Sequence, residues 1–253
     1  MSPQIQRQRG SALISVMIIL LLTTVLGVIA VRQGSTNLNL AMNASVQSLL
    51  VQSSDVGLDK LEQSGVTDSA SAAGPLGYLR LEGNAGKEYI FCYRPTVTSP
   101  KIYNITKDSI VLPTGGVEGG VSGFCKTTLN TDFSSGRRVV MSQMALVRPQ
   151  DAAIAEPFQY YEKGTDSETV KRPDQQRYRA YVTSIAPSLS RATKAEMDAC
   201  FATPSDDSTV ATRPVPTGAV NKSTSDCFFN LGVPSNTQIQ DYVLGGLISV
   251  SKI

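Results

Sequence analysis

The four cysteines are the residues of this chain whose type and spacing indicate chemistry most directly. They are Cys92, Cys125, Cys200 and Cys227, and all lie beyond an apolar N-terminal run. On the oxidising side of a membrane, an even number of cysteines predicts two disulfides. Three pairings are open; we favour Cys92 with Cys125 and Cys200 with Cys227, because both close local loops rich in turn-forming residues. A zinc site is disfavoured, since the cysteines are widely spaced and histidine is absent.

The absence of histidine also argues against catalysis. Histidine is the commonest general base and the usual partner of a serine or cysteine nucleophile. The pairs Gly115-Gly116 and Gly119-Gly120 lack the lysine and the strand-to-helix setting of a phosphate-binding loop, so we interpret them as turns. We therefore expect a non-enzymatic protein with no catalytic residue, no cofactor and no metal.

Two groups of carboxylates could in principle hold calcium with the help of carbonyl oxygens. The first comprises Glu162, Asp166 and Glu168, and the second comprises Asp206 and Asp207. Neither group matches the twelve-residue calcium-binding loop. Solvated loop charge is the favoured interpretation of both.

Basic residues cluster beside tyrosines at Lys171, Arg172, Arg177 and Arg179. Positive charge next to aromatic faces could hold single-stranded DNA, with Arg177 and Arg179 as the contacts. Protection of a strand edge and ordinary surface charge explain the same residues without a ligand. The chain has 23 basic and 21 acidic residues, and removal of Arg7 and Arg9 with a leader would balance them. Neutrality argues against strong general affinity for nucleic acid, so DNA contact is the minor alternative.

The candidate cysteines, carboxylates and arginines all follow an apolar run, which is the first structural element that the sequence predicts. Ser11 to Val31 comprises 21 residues without charge or proline, after ten residues whose only charges are Arg7 and Arg9. About 20 apolar residues at 1.5 Å each cross the roughly 30 Å hydrocarbon layer, and the upstream arginines hold the N-terminus in the cytoplasm. We expect everything after Val31 to lie outside. A cleavable secretory signal and a plain single-pass anchor are the alternatives, although the run exceeds the usual signal core of about 7 to 15 residues.

A helical pattern continues beyond the run, over residues 32–64. Proline is absent there, and apolar residues recur at helical spacing: Leu38, Met42, Val46, Leu49, Leu50, Val56 and Leu61. Gly34 and Gly57 each cost the helix up to about 1 kcal/mol relative to alanine, and Gly65 offers a C-terminal stop. We expect one helix from about Ser11 to Ser64, roughly 80 Å long.

The rest of the chain is predicted to form one α+β domain in which the long helix packs on an antiparallel sheet. Residues 64–77 and 203–218 are rich in small residues or proline and are expected to be loops. Strands are predicted at Tyr89–Tyr93, Ile110–Leu112, Arg138–Val147, Arg177–Ala186 and Tyr242–Val250.

Two local patterns in this domain are specific. In the fourth predicted strand, one side carries Tyr178, Ala180, Val182 and Ser184, and the other carries Arg177, Arg179, Tyr181 and Thr183. We expect the first set to face the core. Thr193 and Glu196 predict a capping box that starts a short helix ending near Cys200.

The N-terminal motif resembles a type IV prepilin. The stretch Arg9-Gly10-Ser11-Ala12-Leu13-Ile14, with Leu26-Gly27-Val28-Ile29-Ala30-Val31-Arg32-Gln33, is most similar to the PilX group of minor pilins. The resemblance implies that a prepilin peptidase cuts between Gly10 and Ser11 and methylates the new N-terminus. It also implies four segments: a leader (1–10), a transmembrane half-helix (11–31), an amphipathic half-helix (32–64) and a pilin globular domain (65–253).

Ser15 departs from the pattern of major pilins, which carry glutamate as the fifth residue of the mature chain. A carboxylate in an apolar filament core is costly unless it is paired, and the resemblance implies pairing with the N-terminal ammonium of a neighbouring subunit. Ser15 cannot make that pair. A subunit without the glutamate is expected at or near the filament tip, where one neighbour is absent. An ordinary membrane anchor, in which Ser15 has no special role, is the alternative.

The implied function is a minor pilin that primes type IV pilus assembly at or near the tip, in support of twitching motility, adhesion or DNA uptake. The implied location is the bacterial inner membrane before assembly, and the periplasm and cell-surface pilus afterwards. Implied partners are the prepilin peptidase, other minor pilins, the major pilin and a PilY-type tip adhesin. A tip pseudopilin of type II secretion and a membrane-anchored periplasmic binding protein are the competing functions.

Overall fold

The structure, a computed structural model, describes residues 9–63, 74–81, 83–95, 103, 107–113, 116–134, 136–149, 172–205 and 223–248. The chain divides into two compact units, Met1–Val46 and Gln47–Ile253. The α-helices in the described residues are α1 (Arg9–Gln63), α2 (Pro75–Arg80), α3 (Lys194–Phe201) and α4 (Thr224–Asn230), and two short 3-10 helices lie at Asn130–Asp132 and Pro187–Leu189. The strands are β1 (Glu88–Cys92), β2 (Ser109–Val111), β3 (Val117–Glu118), β4 (Met141–Val147), β5 (Arg172–Ile185) and β6 (Ser235–Ile248).

The strands form one antiparallel sheet in the order β3-β2-β1-β4-β5-β6. The long helix and the sheet confirm the predicted α+β arrangement. All seven residues of β4 are buried, as expected of a central strand covered on both faces. β5 and β6 are the longest strands, each with 14 residues, and they pair along their whole length.

Several boundaries differ from the prediction. β6 begins at Ser235 rather than Tyr242, because its first half is polar and gives no hydrophobic signal. The loop predicted over residues 64–77 is wrong at its end, since Pro75 starts the short helix α2. Proline suits the first turn of a helix, where its missing N–H has no partner to lose. Residues 64–73, which make up most of the predicted loop, lie outside the described residues.

Within the unit Gln47–Ile253, the last turns of α1 pack on one face of the sheet. Leu50, Ser54, Gly57 and Leu61 are buried there at helical spacing. Gly57 permits close approach, because a Cβ at this position would lie 2.9 Å from both Met144 Cε and Val182 Cγ1. The predicted apolar stripe is wrong at Leu49 and Val56, which are exposed. Leu50 and Leu61 of that pattern are buried, and the small residues Ser54 and Gly57 between them allow the helix to lie close to the sheet.

Serine hydroxyls join α1 to the neighbouring strands β4 and β5. Ser53 Oγ lies 2.8 Å from Ser142 Oγ, which lies 2.8 Å from Ser184 Oγ on β5. Ser54 Oγ donates to Ser184 Oγ at 2.9 Å, and it is also 3.1 Å from the Leu50 carbonyl oxygen. Buried hydroxyls are tolerated because they are hydrogen-bonded, so this network fixes the register of the helix on the sheet.

A second core covers the opposite face of the sheet. Tyr178, Ala180 and Val182 face the α1 side, as predicted, but Tyr181 packs in a separate cluster with residues of α3 and α4. Thr183 is buried as well. The expectation that their side of β5 faces away from the core is therefore wrong for both residues. Strand alternation separates two faces, but it does not reveal that helices cover each of them.

The predicted capping box is present at the start of α3. Thr193 Oγ1 accepts from the Glu196 N–H at 3.3 Å, and Glu196 Oε2 accepts from the Thr193 N–H at 2.7 Å. The hydrogen bond from the Thr193 backbone lowers the pKa of Glu196 below its usual value. The helix ends at Phe201 and thereby places Cys200 in its last turn.

Candidate interaction surfaces

The first half of α1 exposes an apolar surface. The helix is long and apolar enough to cross a membrane by length and composition, and its best 18-residue window has a mean hydropathy of 2.8. Its large apolar side chains, from Leu13 to Val31, are exposed. An exposed apolar rod of this length requires an apolar environment, such as lipid or other helices.

The hydroxyl groups of Ser15, Thr23 and Thr24 in this segment are satisfied within the helix itself. Ser15 Oγ donates to the Ala12 carbonyl oxygen at 2.9 Å, and the Thr23 and Thr24 hydroxyls donate to carbonyls three residues earlier at 2.9 and 2.8 Å. Polar groups without partners are costly in hydrocarbon. Internal hydrogen bonds allow these residues to enter lipid without that cost.

The predicted processing position lies at the beginning of α1. Gly10 and Ser11 are its second and third residues, and Ser15 follows Ser11 by about one turn, or about 6 Å along the axis. Arg7 and the other residues before Arg9 lie outside the described residues, as does the side chain of Ser11. The hydroxyl of Ser15 is bonded to its own helix, through the Ala12 carbonyl oxygen.

Both disulfides have the pairing favoured from the sequence. Cys92 of β1 bonds to Cys125, with Cα atoms 4.8 Å apart, and Cys200 of α3 bonds to Cys227 of α4, with Cα atoms 5.5 Å apart. They close loops of 33 and 27 residues. By restricting the unfolded chain, each contributes roughly 3 to 4 kcal/mol.

Buried polar contacts connect the two disulfide loops. Gln143 of β4 accepts from the Cys125 N–H at 3.0 Å and donates to the Phe201 carbonyl oxygen at 2.8 Å. Thr127 donates to Asp198 Oδ1 from its N–H at 2.8 Å and from its hydroxyl at 2.7 Å. The sequence analysis missed these residues; a glutamine inside an apolar strand was the available signal. The contacts make the face carrying the disulfides one connected layer.

The two arginines proposed as DNA contacts share one carboxylate. Arg179 holds Asp241 of β6 with two hydrogen bonds, Nε to Oδ1 at 2.6 Å and a terminal nitrogen to Oδ2 at 3.1 Å. Arg177 Nε lies 3.6 Å from Asp241 Oδ2. The hydrogen bond from Arg179 lowers the pKa of Asp241 and raises that of Arg179. Asp241 thus offsets part of the positive charge that a phosphate backbone would meet.

The side chains of Lys171 and Arg172, and the carboxylates Glu162, Asp166, Glu168, Asp206 and Asp207, lie outside the described residues. Among the described residues, histidine, cysteine and carboxylate side chains form no group of three or more that could hold a metal ion.

Replacing Asp241 with asparagine should produce a pH-dependent loss of stability. Because the pKa of Asp241 is lowered on folding, its stabilising effect is fully present above its unfolded pKa of about 3.9 and is lost as the pH falls through the lower folded value. The pair is partly exposed, so we expect a loss of at most about 1 kcal/mol at pH 7. Urea unfolding at pH 7 and pH 3 measures the difference in unfolding free energy between the unmodified chain and the Asp241→Asn variant. The same difference at both pH values would contradict the expectation.

Comparisons of the chain with protein-family models, with curated proteins and with solved structures give no match.

Proposed function

We propose that the chain is a non-enzymatic structural subunit, a PilX-like minor pilin that primes type IV pilus assembly at or near the tip. The observation that carries this proposal is the order of three features at the N-terminus: a short basic segment, a Gly-Ser junction and a long uncharged apolar run. Gly10 follows a short basic segment, and Ser11 begins an uncharged run of 21 residues. That run continues as one helix to Gln63, with its last turns packed on the sheet. One continuous helix thus supplies both an apolar segment that can cross a membrane and the turns that pack on the sheet. A subunit that moves from the membrane into a filament needs both parts.

The mechanism follows from the surface of the first half of α1. Before assembly, residues 11–31 are stored in the inner membrane, with the N-terminus in the cytoplasm and the folded unit in the periplasm. On assembly, the same side chains exchange lipid for the helices of neighbouring subunits. Small residues such as Ala12, Ser15 and Gly27 permit close helix packing. A Cβ placed on Gly27 would meet nothing within 4 Å, so that surface is open to a neighbour.

Ser15 supports a position at the tip rather than throughout the shaft. Its hydroxyl bonds to the Ala12 carbonyl oxygen and carries no charge to offer to a neighbouring N-terminal ammonium. A subunit at the tip lacks one neighbour and does not require that pair. The sheet and the disulfide-containing layer then meet other minor pilins and a PilY-type tip adhesin, while the helix contacts the next pilin below.

Processing at Gly10 tests the proposal. In cells with an active prepilin peptidase, mass spectrometry of protein from sheared surface fibres should find an N-methylated Ser11 as the first residue. Gly10→Leu should abolish cleavage and remove the protein from the fibres. Gly27→Ala, a glycine substitution in the same helix with open space around it, should still be cleaved.

Two outcomes would redirect the proposal. Residues 1–9 still attached in peptidase-positive cells would indicate a plain anchor, and the chain would then not be a pilin. Loss of protein secretion on deletion, with twitching and transformation intact, would assign the chain to a type II secretion pseudopilus instead.

A further inference from the structure

The outer edge of β6 is a long strand edge without a partner among the described residues. β6 pairs with β5 from Ser235 to Ile248, and it ends the strand order of the sheet. Alternate residues of an edge strand direct their N–H and C=O groups away from the sheet. The opposite edge differs, because β3 has only two residues and offers little backbone to a partner. The sheet therefore has one edge long enough to template another strand.

The described side chains of β6, residues 235–243, lack the features that usually protect an edge. The segment contains no lysine and no proline, and its register with β5 runs without a bulge. Its one charged residue, Asp241, is held by Arg179 of the neighbouring strand. Native proteins block long exposed edges with charge, proline or bulges, so an unblocked edge points to a partner.

Apolar side chains lie on one face of this edge. Ile239 and Val243 share the face of Thr237 and are 55% and 66% exposed. Phe229, which is 79% exposed, belongs to α4, and α4 reaches β6 through Ser225 Oγ, 2.8 Å from Thr237 Oγ1. Large apolar groups beside an open backbone edge are typical of a surface that an added strand covers.

Amides lie on the other face of β6, the face that packs against α1. Asn236 Oδ1 and Gln238 Oε1 are buried and accept no hydrogen bond. A buried acceptor without a donor costs free energy. A side chain directly across on an added strand would have its Cβ about 5 Å away. A hydroxyl or amide group there would supply a donor on the face that carries these oxygens.

We propose that an extended segment of a partner protein adds to the outer edge of β6 as a further strand. Its backbone pairs with β6, and its side chains alternate between two chemistries. Apolar residues opposite Ile239 and Val243 cover them, and the residue between these two lies opposite Asp241, which shares their face. On the other face, hydroxyl or amide residues donate to Asn236 and Gln238. This goes beyond the proposed function, because it holds whether or not the chain enters a pilus.

A second copy of this chain is a poorer occupant. An antiparallel pairing of two β6 strands that sets Ile239 against Val243 is centred on residue 241. It places Asp241 of one copy directly opposite Asp241 of the other, and like charges directly opposite are destabilising. The edge is therefore better suited to a different strand.

The test uses the full chain in detergent micelles and a labelled synthetic peptide of about nine alternating threonine and valine residues, a typical strand length, with a lysine at each end. Fluorescence anisotropy should show saturable binding at peptide concentrations below about 1 mM. Hydrogen exchange of the backbone amides in residues 235–243 should slow when the peptide is present. Ile239→Lys should weaken binding at least tenfold, because charge at an edge opposes strand addition.

Val121→Lys is the matched control, since Val121 is 56% exposed and precedes β4 rather than belonging to β6. It should bind the peptide as the unmodified chain does, and the same peptide with two central prolines should not bind. Absence of binding, equal weakening by both lysine variants, or self-association of the chain through β6 would each overturn the proposal. Near-ultraviolet circular dichroism confirms that each variant is folded.

Discussion

Gly123→Ala is expected to destabilise the folded unit by about 3 kcal/mol or more. A Cβ at Gly123 would overlap the backbone nitrogen of Ser109 and lie 2.5 Å from the Ile90 carbonyl oxygen. These two residues are paired across β1 and β2. Paired backbone atoms cannot move aside as a flexible side chain can. The methyl group would therefore separate the strands or displace the segment that carries Cys125.

The stability of the Gly123→Ala variant can be measured by urea unfolding of the full chain in detergent. Tyrosine circular dichroism is a suitable signal, because the chain contains nine tyrosines and no tryptophan. Gly136→Ala is the matched control, since a Cβ there meets nothing within 4 Å. It should change the unfolding free energy by no more than about 1 kcal/mol. Equal urea midpoints for the Gly123→Ala and Gly136→Ala variants would contradict the expectation. They would show that the backbone around Gly123 moves enough to accommodate a methyl group.

Features of the fold that depend on local sequence could be predicted. The long helix follows from an uninterrupted stretch without proline, and the start of α3 follows from the reciprocal bonding of Thr193 and Glu196. The inward set of β5 follows from alternation. The disulfide pairing agrees with closure of local loops, although the sequence left three pairings open.

Features that depend on what covers each element could not be predicted. Tyr181 and Thr183 are buried because α3 and α4 form a second layer, which alternation within one strand cannot reveal. The face of α1 that meets the sheet uses Ser54 and Gly57. Hydrophobic periodicity does not select such residues, since their value is small size and a hydroxyl that finds a partner on β5.

The candidate surfaces also divide into those that depend on local sequence and those that depend on how distant segments pair. The segment around Gly10 and Ser11 is contiguous in sequence, so its resemblance to a prepilin cleavage motif can be judged from the sequence alone. Arg177 and Arg179 were visible as basic residues, but their partner Asp241 is distant along the chain and is brought beside them only by the pairing of β5 with β6. The open edge of β6 could not be seen at all, because strand order is a property of the whole sheet.

Asp132→Ala is expected to cost about 3 to 5 kcal/mol, because it breaks a buried ion pair by removing one partner. Asp132 is fully buried in the loop between Cys125 and β4. Its carboxylate accepts from Arg94 Nε at 2.6 Å, from the Lys126 N–H at 2.9 Å and from the Thr131 hydroxyl at 3.2 Å. Alanine would leave the Lys126 amide without this acceptor, and it would leave the partly exposed Arg94 guanidinium with only the Ser122 carbonyl oxygen, at 3.3 Å, as its acceptor among the described residues.

A matched control separates burial from charge pairing. Glu118→Ala removes the partner of Lys87 from an ion pair of 3.1 Å in which the glutamate is well exposed, and it should cost less than about 1 kcal/mol. The double variant Arg94→Met with Asp132→Leu should be more stable than Asp132→Ala, because it leaves no uncompensated buried charge. If Asp132→Ala cost no more than Glu118→Ala in urea unfolding, the Cys92–Cys125 disulfide would be sufficient to hold this loop. The ion pair would then contribute to its conformation and not to its stability.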